Sequence, residues 1–297
     1  MRRLGGKMKE EIQYFNSHDA AKILGVNVST IKRWTDEGKL ECIKSVGGHR
    51  KFLMSHFADF LGRNNKKVSK VNVFPIEGDS DLEIGHHILK GNFEYLTEYV
   101  LEQAFLSNRD RVQYVMNGLY LGQYPLYEIY DNLVTHVLYR VGEMWEQDIK
   151  SITEEHIATQ TIRDSIVRLQ GIIRIPKQKT GKALCLNPST ELHDIALKMV
   201  DHILEVKGYD VLFSGQITPI MKMELVFQTF KPDSVFISST MVEDPDTTQK
   251  EFDEICHLSS KYKADVYIGG QGFDIINFDH PAVKTRLTSF EELYLLD

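Results

Sequence analysis

The chain has 297 residues, of which 42% are hydrophobic and 26% are charged, so it is long enough for two or three globular domains. It has no apolar run long enough to span a membrane and no apolar segment behind its basic N-terminus, and its three cysteines form neither a CxxC pair nor a zinc-binding spacing. These features argue against a membrane partner, a secretory signal and a disulfide framework. They predict a cytoplasmic protein.

Charge is divided unevenly along the chain. Residues 1–70 hold 15 Lys and Arg against 7 Asp and Glu, whereas residues 71–297 hold 20 against 35. The formal net charge of −7 therefore hides a basic N-terminal part. A basic end on an acidic body indicates a nucleic-acid contact that is confined to that end.

Residues 11–62 are predicted to form a winged helix-turn-helix DNA-binding domain. The expected elements are a helix over 17–24 with Ser17 as its N-cap, a helix from Asn27 or Ser29 to Asp36, a hairpin wing with strands over 40–43 and 50–52, and a last helix over 54–61. The expected core consists of Ala20, Ala21, Ile23, Leu24, Val26, Ile31, Trp34 and Leu40.

The second helix and the wing of this domain carry the residue types that contact DNA. Small hydroxyl and basic side chains on one helical face can reach phosphates and base edges in the major groove, and cations on a tight turn suit backbone contacts. The alternative is a protein-binding domain with a solvated basic face. The candidate DNA-binding residues are Ser29, Thr30, Lys32 and Arg33 in the helix and His49, Arg50 and Lys51 in the wing.

The stretch from Phe15 to Phe52 resembles a MerR-type winged helix-turn-helix, above all over residues 20–26, 30–34 and 47–52. The resemblance implies double-stranded operator DNA as the partner. One such domain touches too little DNA for tight, selective binding, so we expect a homo-oligomer, either a dimer or a tetramer. MerR proteins often dimerise through a coiled coil behind the wing. This sequence has no such coiled coil, and the contacts between subunits are expected elsewhere.

Three further segments follow the winged domain. Residues 63–80 are polar and read as a linker. Residues 81–178 have apolar positions spaced by three and four, which predicts a four-helix-bundle cap domain of four or five helices. Its expected breaks lie at 91–92, 107–108, 122–125 and 148–151.

Residues 179–297 alternate between strands and helices, which predicts a Rossmann-like domain with a doubly wound parallel sheet. The expected strands are 183–186, 210–213, 234–237 and 265–268, and the helices lie near 191–207, 219–230 and 246–262. The predicted fold class is therefore multidomain α and α/β.

His193 is a candidate metal ligand because it follows the first strand of this sheet by a short loop. Ligands of open α/β sheets bind outside the carboxyl ends of the strands. A neutral imidazole there can coordinate a transition metal, and Glu191 or Asp194 could hold its other nitrogen. The alternative is a bystander histidine beside acidic residues that the helix dipole favours.

Other polar residues and glycines would share this rim or cover it. Ser238, Ser239 and Thr240 follow the third strand and offer hydroxyls. Gly269, Gly270 and Gly272 follow the fourth, where glycines allow close approach of a planar ligand. The cap contributes Trp145, Glu155 and His156 at the junction of two helices. The structural alternatives are turn glycines, a capping box formed by Ser151 and Glu154, and a tryptophan in the core.

Taken together, these residues resemble the cobalamin-binding module of methionine synthase, corrinoid proteins and light-sensing regulators. Glu191 and His193 match its D/E-x-H-x-x-G motif, Ser238 and Thr240 its S-x-L/T element, Gly269 and Gly270 its Gly-Gly pair, and Trp145, Glu155 and His156 the motif of its cap. The order and spacing of the domains resemble the CarH/LitR type of B12-dependent photoreceptor repressors.

This resemblance implies cobalamin as the cofactor, most readily adenosylcobalamin. His193 would be the lower axial ligand to cobalt, and Trp145, Glu155 and His156 would pack around the adenosyl group on the other side. It also implies a repressor that cobalamin controls, with photolysis of adenosylcobalamin as a second input.

Two positions depart from the family pattern. Ala196 stands where the motif has glycine, and Glu146 stands where light-sensing relatives carry a histidine that binds cobalt after photolysis. Glutamate is a poorer ligand for cobalt than imidazole, so the illuminated protein is expected to lack bis-histidine ligation. Both departures support an alternative: a MerR-type regulator that no longer requires B12 and uses its C-terminal module for oligomerisation or partner binding.

Two enzyme classes fit the sequence less well. A corrinoid methyl-carrier subunit gains nothing from a basic winged helix. A nucleotide-binding Rossmann enzyme would need a GxGxxG fingerprint, and residues 187–190 (NPST) do not provide it. We therefore expect a regulator and not an enzyme.

Overall fold

The computed structural model describes residues 14–24, 26–53, 56–57, 60, 79–122, 124–171, 173 and 175–296. The chain divides into two compact units. One consists of Met1–Val100 and Tyr114–Tyr124, and the other of Leu101–Gln113 and Pro125–Asp297.

The first unit begins with a helix-turn-helix and a short hairpin. Helices α1 (Ser17–Ile23) and α2 (Val28–Asp36) precede strands β1 (Ile43–Lys44) and β2 (Arg50–Lys51). The two strands pair antiparallel, with Ile43 opposite Lys51, and Gly48 takes a left-handed φ of 75° in the turn between them. This hairpin is the predicted wing.

Two predicted boundaries of this domain need correction, and a third element lies mostly outside the described residues. The N-cap of α1 is Asn16 and not Ser17, because the Asn16 side-chain oxygen accepts hydrogen bonds from the backbone N–H groups of His18 and Asp19. The first wing strand is Ile43–Lys44 and not 40–43, because Leu40 is buried in the core. Of the predicted helix over 54–61, only residues 56–57 and 60 lie within the described residues, where they are helical.

Aromatic side chains complete the core of the helix-turn-helix. Phe15 and Phe52 exchange backbone hydrogen bonds and are fully buried together with Phe57. Burying side chains of this size stabilises the fold by about 1.5–3 kcal/mol each. Trp34 and Val26 pack partly buried against this core, and the Ile23 side chain lies outside the described residues. The buried cluster consists of Phe15, Ala20, Ala21, Leu24, Ile31, Leu40, Phe52, Phe57, Phe60 and Leu89.

A run of helices follows the winged domain. These helices are α3 (Asp79–Lys90), α4 (Phe93–Phe105), α5 (Arg109–Leu121), α6 (Leu126–Ile129), α7 (Thr135–Glu146) and α8 (Ile152–Leu169). A π-helical turn, Tyr130–Val134, joins α6 to α7 without a break in the helical backbone. The helix breaks lie where the sequence predicts them, with Ser107 and Asp148 in left-handed conformation at two of them.

The C-terminal part of the second unit is a doubly wound parallel sheet, as predicted. The strands β3 (Gly181–Leu186), β4 (Tyr209–Phe213), β5 (Ser234–Ser238), β6 (Asp265–Gly269) and β7 (Val283–Leu287) are arranged in the order β4-β3-β5-β6-β7. The helices are α9 (Ile195–Lys207), α10 (Met223–Phe230), α11 (Pro245–Tyr262) and α12 (Phe290–Leu295).

Two features of this sheet differ from the prediction. The fifth strand, β7, was not expected, because Lys284 and Arg286 interrupt its apolar pattern. Helix α9 begins at Ile195 and not near residue 191, which leaves residues 187–194 as a loop behind β3. The chain leaves β3 towards β4 on one side and returns to β5 on the other, so this loop lies at the topological switch point where such folds bind ligands.

The π-helical turn connects the helices of the second unit to the sheet. The Tyr130 hydroxyl hydrogen-bonds His202 Nδ1 on α9 at 2.8 Å. The Asp131 carboxylate accepts hydrogen bonds from the backbone N–H groups of Phe290 and Glu291, at 2.9 and 3.0 Å, in the first turn of α12. Side chains of the π turn therefore contact α9 and cap the C-terminal helix.

Stability below neutral pH is expected to depend on His202. This side chain is fully buried, and burial together with the charge of Lys198 lowers its pKa to about 3. The unfolded chain binds a proton on this ring below about pH 6.5, whereas the folded protein does not. The free energy of unfolding should therefore fall as the pH drops from about 6.5, by up to about 1.4 kcal/mol per pH unit.

Urea unfolding of wild type and His202→Asn over this pH range measures the effect. The variant should lose part of the slope, whereas His257→Asn, at an exposed position, should keep all of it. Identical slopes in wild type and His202→Asn would contradict the assignment.

Candidate functional site

Glu191 is a buried carboxylate that joins the loops behind β3 and β5. Its side chain is 1% exposed. One oxygen accepts hydrogen bonds from the backbone N–H and from Nδ1 of His193, at 2.7 and 2.6 Å, and the other accepts from the backbone N–H groups of Thr240 and Met241. Burial opposes ionisation of Glu191, but these hydrogen bonds outweigh it and lower the pKa of the carboxyl group. The site thus has a fixed negative charge beneath His193.

His193 is oriented by that carboxylate and remains about half exposed, with 51% of its side-chain surface accessible. Because Glu191 holds Nδ1, Nε2 is the nitrogen that the ring can offer to a metal. The hydrogen bond that the ring donates to Glu191 raises the pKa of His193 against the opposing effect of burial, and the charges of Glu191, Glu155 and Asp194 add to this rise. Glu155 lies in the first turn of α8.

Two buried polar atoms behind β3 and β5 have no hydrogen-bond partner among the described residues: Asn187 Oδ1 and Ser239 Oγ. The Asn187 amide nitrogen donates to the backbone oxygens of Ser238 and His193, at 2.8 and 3.3 Å. Orphaned buried polar groups are rare and disfavour a closed, ligand-free site. Both atoms lie at the switch point of the sheet, which fits a ligand with its own donors and acceptors.

The three residues behind β5 have different roles at this rim. Ser238 is buried as the last residue of β5, and Thr240 contributes its backbone N–H to Glu191. Among the described residues, the hydroxyl at this rim without a partner belongs to Ser239, which the sequence analysis places on the same rim. Only the contact between the loops shows which of the three side chains is left unsatisfied.

Glycines behind β6 let that loop pack directly on Ser239. Gly270 has a φ of 101°, and a Cβ there would overlap the Ser239 carbonyl group, 2.7 Å from its carbon. A Cβ on Gly272, two residues further along, would likewise collide with Ser239. Gly269 has more room, since its Cβ would lie 3.5 Å from the Leu287 carbonyl oxygen. Gly270 is thus required by backbone packing.

The predicted cap residues lie in the same compact unit as His193. Trp145, near the end of α7, is 42% exposed and therefore not a core residue. The capping box of α8 is made by Ser151 and Glu154, which leaves Glu155 free for other contacts. Glu155 accepts a hydrogen bond from Thr159 Oγ1 at 2.7 Å and lies 2.5 Å from His156 Nδ1.

Exposed apolar side chains lie close in the chain to the polar residues of the sheet loops and to those of the cap helices. Such clusters on a monomer indicate binding surfaces, and pockets for large ligands are mostly apolar. They include Leu192, Ile217 and Met241 on the loops of the sheet, Ile149 between α7 and α8, and Ile152 at the start of α8.

The two departures from the family pattern occupy different environments. Ala196 is half-buried in the first turn of α9, and Glu146 is exposed as the last residue of α7.

The predicted DNA-contact residues fall into two groups. Exposed side chains are available for DNA, whereas Arg50 is already engaged: its Nε donates to Thr35 Oγ1 and its Nη2 to Asp36, both at 2.7 Å. Arg50 therefore ties the wing to the end of α2. Thr30 is half-buried, and the exposed members are Ser29, Lys32, Arg33, His49 and Lys51.

Comparisons with known proteins identify two domain types. A helix-turn-helix domain matches residues 14–65, and a B12 binding domain matches residues 83–170. The HTH-type transcriptional repressor CarH of Myxococcus xanthus is 26% identical over 142 residues, which is 48% of this chain and 46% of that protein. The match thus spans slightly less than half the length of this relative.

A solved structure supports the fold of about two thirds of the chain. The monomethylamine corrinoid protein of Methanosarcina barkeri superposes with a TM-score of 0.56 at 12% identity, covering 68% of this chain and 96% of that one. At this identity the likeness shows the fold alone.

These matches confirm the predicted helix-turn-helix and B12-binding domains. Their combination supports a B12-dependent transcriptional regulator and not an enzyme. The B12 match covers Trp145, Glu155 and His156 but ends before His193, so the roles of individual residues stay predictions. Among the described residues, no helix combines the length and the apolar character needed to cross a bilayer.

Proposed function

We propose that the chain is a transcriptional repressor that binds double-stranded operator DNA as a homo-oligomer under the control of adenosylcobalamin and light. The observation that carries the proposal is His193, held by the buried carboxylate of Glu191 at the switch point of the sheet. An imidazole oriented in this way by a carboxylate is a common arrangement of metal-ligating histidines.

The residues present fit a corrinoid. Nε2 of His193 would bind cobalt from below, and Asn187 Oδ1 and Ser239 Oγ would gain the partners that they lack. The exposed ring of Trp145 and the polar groups of Glu155 and His156 would pack against the cofactor from the helices. When bound, adenosylcobalamin supplies a cobalt–carbon bond that light can break.

Control of DNA binding then requires that the cofactor favours one arrangement of the protein. The helices of the second unit meet α9 and α12 through Tyr130 and Asp131, at the opposite end of the α6–α7 segment from Trp145. A ligand that touches both Trp145 and His193 would bias the packing of helices against sheet, and only such differential contacts can shift an equilibrium. We propose that this bias sets the oligomeric state, either dimer or tetramer.

The direct test uses the full chain, purified in darkness with adenosylcobalamin. The account expects pigment that co-elutes with the protein, a larger species on gel filtration with the cofactor than without, and a return to the smaller species after green light. Absence of bound pigment would instead favour a regulator that no longer requires B12.

The illuminated protein is expected to lack the absorption spectrum of cobalt held by two imidazoles, because residue 146 is glutamate. The variant Glu146→His should acquire that spectrum after illumination. A bis-imidazole spectrum in the wild type would contradict this expectation. In that case His156, which is exposed on α8, is the residue to replace next.

Lys32→Ala is expected to lower the affinity for DNA by a similar factor on duplexes of different sequence. This exposed side chain would contact phosphates, which are the same in every sequence. Loss of one such contact should lower the slope of log affinity against log salt concentration by about 1. Fluorescence anisotropy at several salt concentrations measures both. Lys263→Ala, in the second unit, is the control, and an equal effect of the two variants would contradict the assigned surface.

A further inference from the structure

Helix α8 is joined to the loop of His193 by an ion pair that the sequence does not reveal. Arg163 Nε donates to Asp194 Oδ1 at 3.0 Å, and its Nη2 donates to Asp194 Oδ2 at 2.7 Å. The Asp194 side chain is 2% exposed. A bidentate arginine–carboxylate pair fixes direction as well as distance. The residue next to His193 is thus fastened to the cap helix that carries Glu155 and His156.

Asp194 uses its carboxylate in an unusual way for its position. It directly precedes α9, where an aspartate commonly accepts a hydrogen bond from the first turn of its own helix, but it makes no such capping bond. From another side of the loop, Gln216 Nε2 donates to the Leu192 backbone oxygen at 2.6 Å and contacts Asp194 Oδ1 at 3.4 Å. The two neighbours of His193 are therefore held by separate elements: Leu192 by Gln216, and Asp194 by Arg163 on α8.

We infer that Arg163 and Asp194 are a positioning pair that sets the orientation of His193 towards cobalt and makes α8 move together with the His193 loop. The inference rests on the proposed cobalamin function. If Asp194 shifts together with its neighbour His193, Arg163 must either follow it or lose the ion pair. Loss of the ion pair would leave the buried Asp194 carboxylate unpaired, which is strongly destabilising. A change in cobalt ligation would thereby reach the cap helix directly.

The test compares Arg163→Gln, Arg163→Lys and Asp194→Asn with Arg168→Gln. Arg168 lies on the same helix, but its contact with Asp110 is long, at 3.8 Å, and both side chains are exposed. Three quantities are measured: the Kd for adenosylcobalamin in darkness, the nitrogen splitting in the electron paramagnetic resonance spectrum of bound cob(II)alamin, and the urea midpoint without cofactor. Labelling the protein's histidines with heavy nitrogen shows whether the splitting comes from the protein.

Arg163→Gln should raise the Kd roughly 10–100-fold, as loss of residues that support a metal ligand typically does, and should reduce the histidine-derived splitting. Arg163→Lys keeps the charge without the bidentate geometry and should fall between Arg163→Gln and wild type. Arg168→Gln should match wild type. A merely structural role would lower the urea midpoint without changing the splitting.

The outcomes separate the two proposals. A wild type that binds no cobalamin, or that shows no histidine splitting, overturns the proposed function. A wild type with the histidine splitting, together with Arg163→Lys and Asp194→Asn variants that keep both its Kd and its splitting, overturns the inference alone. These two milder variants decide the matter if Arg163→Gln does not fold.

Discussion

His193→Ala is expected to abolish histidine ligation of cobalt and to weaken cobalamin binding by more than the roughly 10–100-fold that loss of a supporting residue typically causes. The substitution removes the half-exposed imidazole that Glu191 holds at 2.6 Å, and with it Nε2, the ring nitrogen that Glu191 does not hold. Isothermal titration with adenosylcobalamin in darkness and the absorption spectrum of the bound pigment measure the two effects.

Glu191→Gln is the matched control for the site. The imidazole stays, but it loses the carboxylate that orients it, so binding should weaken by roughly 10–100-fold with ligation partly kept. Pigment that binds to His193→Ala with wild-type affinity and an unchanged spectrum would remove His193 from the site.

Gly270→Ala is expected to lower the free energy of unfolding of the sheet-containing unit by at least about 3 kcal/mol. Two costs add up: residues other than glycine rarely adopt this φ, and the new Cβ would overlap the backbone of another loop. The φ of Gly270 is 101°, and its Cβ would lie 2.7 Å from the Ser239 carbonyl carbon. This loss is a large fraction of the roughly 5–15 kcal/mol that holds a domain together. Urea unfolding followed by circular dichroism is the measurement.

Two glycines provide controls for this substitution. Gly269→Ala places its Cβ at an ordinary 3.5 Å from the Leu287 oxygen, and we expect a change of less than about 1 kcal/mol. Gly142→Ala, inside α7 with nothing within 4 Å, should stabilise the protein by up to about 1 kcal/mol. Equal stability of Gly270→Ala and Gly269→Ala would show that the loops behind β5 and β6 are not packed as described.

Much of the fold follows from local patterns in the sequence. The helix breaks near Ser107 and Asp148 are predictable because the apolar spacing stops there, and β3 and β5 are predictable because both are almost continuously apolar. Strand β7 escapes prediction because it is half-exposed, and Lys284 and Arg286 break its apolar run. The Asn16 cap differs from the predicted Ser17 by one position, since both residues are good caps.

Part of the candidate site can likewise be predicted from the sequence, and part of it cannot. Glu191 and His193 can be paired from the sequence because they are two residues apart in one loop. Ser239 and Gly272 can be placed on the rim from the sequence. Their packing on each other and the Arg163–Asp194 pair could not be predicted, because these contacts join segments far apart in the chain. Arg50 has the right charge and place for a DNA contact, but Asp36 already binds it.

Individual side chains argue against the two alternative functions, a regulator that no longer requires B12 and a corrinoid methyl carrier. A regulator that has dispensed with B12 would be under no pressure to keep Asn187 Oδ1 and Ser239 Oγ buried without partners at the ligand end of the sheet. A methyl carrier would have no use for the exposed Lys32 and Arg33 on a recognition helix. The structure thus favours a DNA-binding protein that also holds a cofactor.

The central claim is that cobalamin controls DNA binding, and one affinity measurement tests it most directly. A duplex is first selected from a random-sequence pool with the cofactor-loaded protein in darkness. Its affinity is then measured by fluorescence anisotropy at one fixed salt concentration for three samples: protein alone, protein with adenosylcobalamin in darkness, and the same sample after green light. The account predicts tight binding in the second sample only. Equal affinity in all three would contradict it.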